Sequence, residues 1–129
     1  MSDREEIVSR VTAALEGAPA PVAIRNARKV DARGEQSGYW VVSNASGAIA
    51  ASGVGDEAFE QYCGTVGIDP ADRNAVVDAE GRILTPGYVD IHSHGAWEKS
   101  FDDGPDGIDV ARAGHAVHGT TRQVLSLIT

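Results

Sequence analysis

The order of elements predicted after Pro86 constrains the fold of this chain more than any other feature. Residues 88–91 form a short apolar run, residues 95–107 a loop rich in Gly and Asp, residues 108–118 a helical pattern, and residues 120–129 a β-rich apolar run. A strand, a helix and a second strand in this order predict a βαβ unit with two parallel strands and a right-handed crossover.

The N-terminal region carries a clear helix signal. Residues 3–16 place Ile7, Val11 and Leu15 on one face, and Ser2 with Glu5 three positions later forms a capping-box pattern. Gly17 and the Ala/Pro run that follows it predict the end of the helix and an extended linker up to residue 21.

Between these regions the sequence is typical of short strands joined by turns. Strands are predicted near residues 22–30, 39–42, 48–51, 75–77 and 82–84, with a hairpin-like turn at 78–81 and a short helix at 56–62 that begins from Asp56 as N-cap. This spacing favours a small sandwich or open barrel.

The predicted organisation therefore has three segments. Residues 1–21 are an N-terminal helix and Pro/Ala linker, residues 22–85 a small β-sandwich-like domain, and residues 86–129 the beginning of an α/β domain. The fold class is α/β with an additional small β domain.

Charge and composition limit the partners and the compartment. The net charge of −8 argues against nucleic acid or an anionic membrane as partner, since both attract basic surfaces. The chain shows no signal-peptide pattern and no long apolar run, so we expect a cytoplasmic protein. The single cysteine, Cys63, excludes an intramolecular disulfide and is expected to be an inert thiol.

The end of the first strand after Pro86 carries the chemistry. Side chains alternate along a strand, so Asp90, His92 and His94 are expected on one side, where two imidazoles can bind one metal ion. Asp90 is a candidate for orienting a histidine by accepting a hydrogen bond from it. Gly95 is a candidate for keeping the adjoining substrate loop free of side-chain bulk.

Other polar residues in this region receive weaker interpretations. His115 and His118 share a helix face that we expect to point to solvent, with His118 favourably placed near the helix C-terminus. Trp97 is interpreted as a packing residue. A loop cluster of acidic residues is interpreted as solvated rather than cation-binding. Its members are Asp102, Asp103, Asp106 and Asp109.

Residues 84–95 (LTPGYVDIHSHG) resemble the first barrel strand of the amidohydrolase superfamily. Three further segments resemble one of its families, the N-acetylglucosamine-6-phosphate deacetylases: SFDDG at 100–104, HGTT at 118–121 and VLSLIT at 124–129. The resemblance covers about residues 22–129, because the preceding β-rich region is similar to the small β domain of that family.

The resemblance implies a fold, a reaction and a site. Residues 86–129 would be the first β-α-β of a (β/α)8 barrel. The substrate would be an amino-sugar phosphate, whose acetamide is hydrolysed to glucosamine 6-phosphate and acetate. His92 and His94 match the first-strand metal positions, and one or two divalent ions (Zn or Fe) complete the site. The general-base aspartate and the remaining ligands are expected beyond Thr129, and the parent enzyme is expected to be a homodimer.

A full barrel needs roughly 250 residues, so this chain is expected to be an inactive fragment of the enzyme. Two alternatives stay open. One is another amidohydrolase, such as an N-acetylgalactosamine-6-phosphate deacetylase or, more remotely, a dihydroorotase-like or deaminase enzyme. The other is a small non-enzymatic module for metal binding or protein interaction.

Overall fold

The computed structural model describes residues 2–128, which divide into two compact units. We call residues 18–86 the sheet unit, and residues 2–17 together with 87–128 the βαβ unit. The N-terminal helix, predicted as part of a separate segment, is thus grouped with the C-terminal part of the chain.

The helices are α1 (Asp3–Glu16), α2 (Asp56–Val66) and α3 (Pro105–Ala116), with one 3-10 turn at Phe101–Asp103. The strands are β1 (Ala23–Asp31), β2 (Gly34–Ser43), β3 (Ile49–Val54), β4 (Val76–Asp78), β5 (Ile83–Leu84), β6 (Tyr88–Ser93), β7 (Gly95–Ala96), β8 (Lys99–Ser100) and β9 (Thr120–Leu125). Within residues 2–128, no helix combines the length and the apolar character needed to cross a membrane.

The sheet unit contains one five-stranded sheet. Its order is β3-β2-β1-β4, and β5 also pairs with β1. The β1–β2 and β2–β3 pairs are antiparallel, whereas β4 and β5 both run parallel to β1. One sheet and one helix are described here, so the sandwich-like arrangement stays a prediction.

The hairpin predicted around residues 78–81 is wrong. Strands β4 and β5 do not pair with each other but lie one after the other along the same edge of β1. The segment between them follows an irregularity in β1, where Asn26 has a φ of 54°. The carbonyl of Arg25 accepts the Ala79 N–H and that of Asn26 accepts the Gly81 N–H, at 2.9 and 2.8 Å. The turn residues therefore pair with a bulge in β1 and do not reverse the direction of the chain.

The core of the sheet unit lies between the sheet and α2. Phe59 and Cys63 of α2 are fully buried against Trp40, whose ring stacks on Tyr62 at 5.6 Å and meets Phe59 edge-on at 5.7 Å. Burial raises the pKa of the Cys63 thiol, in keeping with its interpretation as an inert thiol.

Helix α2 begins at Asp56, the first residue of the predicted range, and ends later than predicted, at Val66, but its N-cap differs from the prediction. Gly55 is its N-cap and makes no side-chain capping bond, while Asp56 is the first helical residue. The Asp56 carboxylate instead accepts a 2.6 Å hydrogen bond from Arg25 of β1. The residue chosen as a cap from sequence thus holds the helix to the sheet.

The βαβ unit confirms the main local predictions. Ser2 and Glu5 form the predicted capping box at the start of α1. Strands β6 and β9, which precede and follow α3 in sequence, pair in parallel. Helix α3 begins at Pro105 and ends at Ala116, somewhat earlier than predicted at both ends. Strand β9 ends at Leu125; Thr129, the last residue of the predicted run, lies outside the described residues.

Candidate metal centre

His92 and His94 lie together at the C-terminal end of β6, and both side chains are exposed. Their Nε2 atoms are 3.1 Å apart, and the two rings meet edge-on with centroids 5.0 Å apart. One ring can donate an Nε2–H to the other at this distance. When neither carries a proton on Nε2, both lone pairs are free to bind one cation.

The separation of the two nitrogen atoms fits such a cation. With metal–nitrogen bonds of about 2.0–2.1 Å, two ligand nitrogens stand about 3.3 Å apart in a tetrahedral site and about 2.9 Å apart at an octahedral right angle. The 3.1 Å between His92 and His94 lies between these values. The donor set is also suitable, since neutral imidazole binds Zn²⁺ and Fe²⁺ well.

Among the described residues, no hydrogen bond joins the Asp90 carboxylate to either imidazole. Its Oδ1 accepts the backbone N–H of His92 at 3.0 Å. The register of the β6–β9 ladder shifts between Asp90 and Ser93, so the strand is irregular at this point. Asp90 therefore fixes the backbone of His92, whereas a hydrogen bond to a histidine ring was the expectation.

Gly95 begins a small hairpin that carries the chain away from the two histidines. Strand β7 pairs with β8 in antiparallel orientation, with Gly95 opposite Ser100. A Cβ atom at position 95 would lie 2.0 Å from the Lys99 carbonyl oxygen. The absence of a side chain is thus required by the hairpin backbone itself.

The tip of this hairpin consists of Trp97 and Glu98, with φ values of 51° and 65°. Both residues occupy the left-handed region, which costs of order 1 kcal/mol or more for a residue other than Gly. Arg4 of α1 lies 5.1 Å from the Trp97 ring centroid and 4.0 Å from the Glu98 carboxylate. Trp97 also packs on Gly114 of α3. These contacts agree with a packing role for Trp97.

Three of the four acidic residues make structural contacts. Asp102 accepts the backbone N–H of Ile128 at 3.1 Å, and Asp103 accepts that of Ser100 at 2.7 Å. Asp109 lies 3.7 Å from Arg112. Among residues 2–128, no group of three His, Cys, Asp or Glu side chains is arranged to hold a metal ion. The histidine pair thus presents two nitrogen donors, one fewer than such a group would need.

His115 is the residue that the sequence argument placed wrongly. It does not face solvent: its Nε2 lies 2.9 Å from Ser93 Oγ and 3.0 Å from the Gly95 carbonyl oxygen, on either side of His94 in sequence. A signal for this orientation exists in the sequence. Gly107, Ala111 and Gly114 form a stripe of small residues that is buried in the structure, and His115 follows Ala111 by one helical turn.

His118 has a separate role. Its Nδ1 lies 2.7 Å from the Gly114 carbonyl oxygen, at the C-terminal end of α3. Imidazole is favourable there, because the last carbonyls of a helix lack partners within the helix. His115 of α3 and His118, in the turn after it, therefore do not act as a pair.

Comparison with known proteins shows similarity to imidazolonepropionases. The chain is 32% identical to the enzyme of Geobacillus sp. (strain WCH70) over 95 residues, which is 68% of this chain and 20% of the relative. It is 35% identical to that of Sphingopyxis alaskensis over 69 residues, 47% of this chain and 17% of the relative. For Geobacillus kaustophilus the identity is 30% over 98 residues, again 68% and 20%.

The chain thus matches about a fifth of the length of these curated relatives. No protein-family model matches it.

Proposed function

We propose that this chain belongs to a metal-dependent hydrolase of the amidohydrolase superfamily that cleaves a carbon–nitrogen bond of an amide. The convergence of His92 and His94, with 3.1 Å between their Nε2 atoms at the end of a parallel strand, carries this proposal. The similarity to imidazolonepropionases, which are members of that superfamily, supports it independently.

The roles of the residues follow from their contacts. His92 and His94 supply two neutral nitrogen ligands to a divalent ion, and Asp90 holds the His92 backbone in place. Gly95 permits the hairpin that leads the loop away from the site. A divalent ion bound there would polarise the amide carbonyl and lower the pKa of water.

The rest of the site is expected from other parts of the enzyme. A catalytic zinc site usually has three protein ligands and an open position, and residues 2–128 provide two imidazoles at this place. By the family pattern, a further glutamate, further histidines and a general-base aspartate come from later strands of a (β/α)8 barrel. The barrel, the homodimer and a second metal ion are part of the same proposal.

For the substrate we favour the acetamide of N-acetylglucosamine 6-phosphate. Water adds to the acetyl carbonyl, the carbon–nitrogen bond breaks, and the nitrogen takes up a proton, which gives glucosamine 6-phosphate and acetate. The support is the resemblance of residues 100–104, 118–121 and 124–129 to the deacetylase family. In the structure the first and the last of these segments are in contact, since the Asp102 carboxylate accepts the Ile128 N–H.

The similarity to imidazolonepropionases favours a second candidate, hydrolysis of the substrate named in those relatives. Both reactions break an amide-type carbon–nitrogen bond, so the histidine pair serves either one. The two candidates differ in the substrate that the enzyme must recognise. It is an amino-sugar phosphate in one case and an imidazolone carboxylate in the other.

The test is a comparison of the two substrates. The complete reading frame that contains this chain is expressed, loaded with Zn²⁺ and assayed for acetate release from N-acetylglucosamine 6-phosphate and for ring opening of imidazolone propionate. We expect acetate release that is lost in His92→Asn and His94→Asn. Ring opening alone would replace the deacetylase with the second candidate. Activity on either substrate that both variants retain in full would overturn the proposed site.

A further inference from the structure

The segment that carries His94 is held by backbone hydrogen bonds from the 3-10 turn and from the residue after β9. The His94 carbonyl oxygen accepts the Phe101 N–H at 2.9 Å, and the Ser93 carbonyl oxygen accepts the Ser126 N–H at 2.9 Å. Phe101 is buried, with 2% of its surface exposed. The backbone on both sides of the His94 ring thus has defined partners.

His115 completes this support from α3. Its Nε2 lies within hydrogen-bond distance of Ser93 Oγ (2.9 Å) and of the Gly95 carbonyl oxygen (3.0 Å). Its ring lies over Phe101, with centroids 6.4 Å apart and an angle of 29° between the planes. A single half-buried imidazole therefore bridges the two residues that flank His94 in sequence.

The contact with Gly95 determines where the proton of His115 must be. A carbonyl oxygen only accepts hydrogen bonds, so a bond to the Gly95 carbonyl requires a proton on Nε2 of His115. Ser93 Oγ then accepts a bifurcated hydrogen bond from the same Nε2–H. Its own hydroxyl can donate to the Gly95 carbonyl oxygen at 3.5 Å. The tautomer with Nε2–H is the one in which all three groups are satisfied.

We infer that His115 is a positioning residue for the metal centre, which holds the turn from Ser93 to Gly95 so that the His94 imidazole stays beside that of His92. This inference rests on the proposed function, because it assigns a purpose to a metal pair. Its physical basis is that a ligand just beyond the end of a strand has few hydrogen bonds to a neighbouring strand. Partners behind such a ligand then decide how well it is oriented.

The chain offers matched variants. His115→Phe keeps a ring over Phe101 but removes the donor, whereas His115→Gln keeps an N–H at the end of the side chain that reaches Gly95. His118→Gln is the control, because His118 lies in the turn that follows α3 and contacts the Gly114 carbonyl instead of β6. Thermal unfolding followed by circular dichroism reports whether each variant folds.

Two measurements on the 129-residue chain test the inference. The first is the Zn²⁺ affinity by calorimetry. We expect His115→Phe to weaken binding by about tenfold or more, as removal of partners behind a metal ligand does, while His115→Gln and His118→Gln keep most of it. The second needs no metal. In ¹⁵N-histidine-labelled chain, we expect His115 to carry its proton on Nε2 and the His94 signals to broaden or shift in His115→Phe.

Several outcomes would overturn the positioning role. They are a proton on Nδ1 of His115 in the unaltered chain, unchanged His94 signals in His115→Phe, or a loss in His115→Gln as large as that in His115→Phe. The chain supplies two of the ligands of the proposed site, and the others are expected from other parts of the enzyme. If the unaltered chain bound no Zn²⁺, the metal-free spectra alone would therefore decide whether His115 holds His94. If His115→Phe does not fold, the tautomer and the His115→Gln variant carry the decision.

Discussion

The His92 and His94 side chains bring their Nε2 atoms within 3.1 Å of each other at a place where strand β6 is irregular. In a regular strand, alternation alone would bring alternate side chains to one face. Here the Asp90 carboxylate binds the His92 N–H, and Phe101 binds the His94 carbonyl. The pair is thus maintained by bonds to its backbone.

Loss of one histidine should remove metal binding by the pair. For His94→Asn we expect the Zn²⁺ affinity of the chain to fall by more than about tenfold, since one imidazole remains where two had converged. Calorimetric titration of the purified chain measures this. His118→Asn, whose histidine serves the end of α3, should bind as the unaltered chain does. Equal Zn²⁺ affinity in His94→Asn would mean that the metal binds elsewhere.

The 129-residue chain by itself should not hydrolyse the deacetylase substrate. Two imidazole ligands are fewer than the three protein ligands that a catalytic zinc site usually has. Incubation with N-acetylglucosamine 6-phosphate and added Zn²⁺, followed by an acetate assay, should give no acetate above the buffer control. Turnover above that control would contradict this expectation and would require further catalytic groups among these residues.

Gly53 should be intolerant of a side chain, in contrast to Gly64. A Cβ atom at Gly53 would lie 2.7 Å from Cζ2 of Trp40, which is itself buried, whereas a Cβ at Gly64 meets nothing within 4 Å. Gly53→Ala should therefore lower the free energy of unfolding by about 1–3 kcal/mol. Gly64→Ala, inside α2, should raise it by about 0.5–1 kcal/mol. Urea unfolding compares the two, and equal effects would argue against the packing around Trp40.

The Asp78 carboxylate should contribute a pH-dependent part of the stability. Hydrogen bonds from the Glu80 N–H and from Asn26, together with the charge of Arg25, hold the pKa of Asp78 below its usual range. A lowered pKa in the folded state means that the contribution is complete above the unfolded pKa, about 3.9. It is lost as the pH falls through the folded value.

Asp78→Asn should accordingly make the melting temperature depend less on pH below about 4, the range in which the unfolded-state carboxyl titrates. Melting curves between neutral pH and strongly acidic pH measure this. Glu16→Gln provides a control, since it removes an exposed carboxylate near the end of α1. An unchanged acid dependence in Asp78→Asn would show that the hydrogen bonds at Asp78 do not depend on its charge.

Much of the local structure could be predicted, and the errors share a cause. The range of α1, the cap at Ser2 and the parallel pairing of β6 with β9 all agree with expectation. The turn at residues 78–81 was misassigned, because Gly and Asp indicate a turn but do not show which strand the following residues pair with. The bulge at Asn26 of β1, far away in sequence, decides that pairing.

The sequence by itself determined the features that arise from neighbouring residues: the capping box of α1, the strand that ends in His92 and His94, and the glycine that follows them. Tertiary structure alone decided which groups His115 meets, namely Ser93 Oγ and the Gly95 carbonyl oxygen. His115 and Ser93 are 22 positions apart, and contacts over such distances depend on how helix and strand pack. Periodicity shows that a helix has a buried face. The packing of the helix on the strand decides which residue a side chain at the edge of that face contacts.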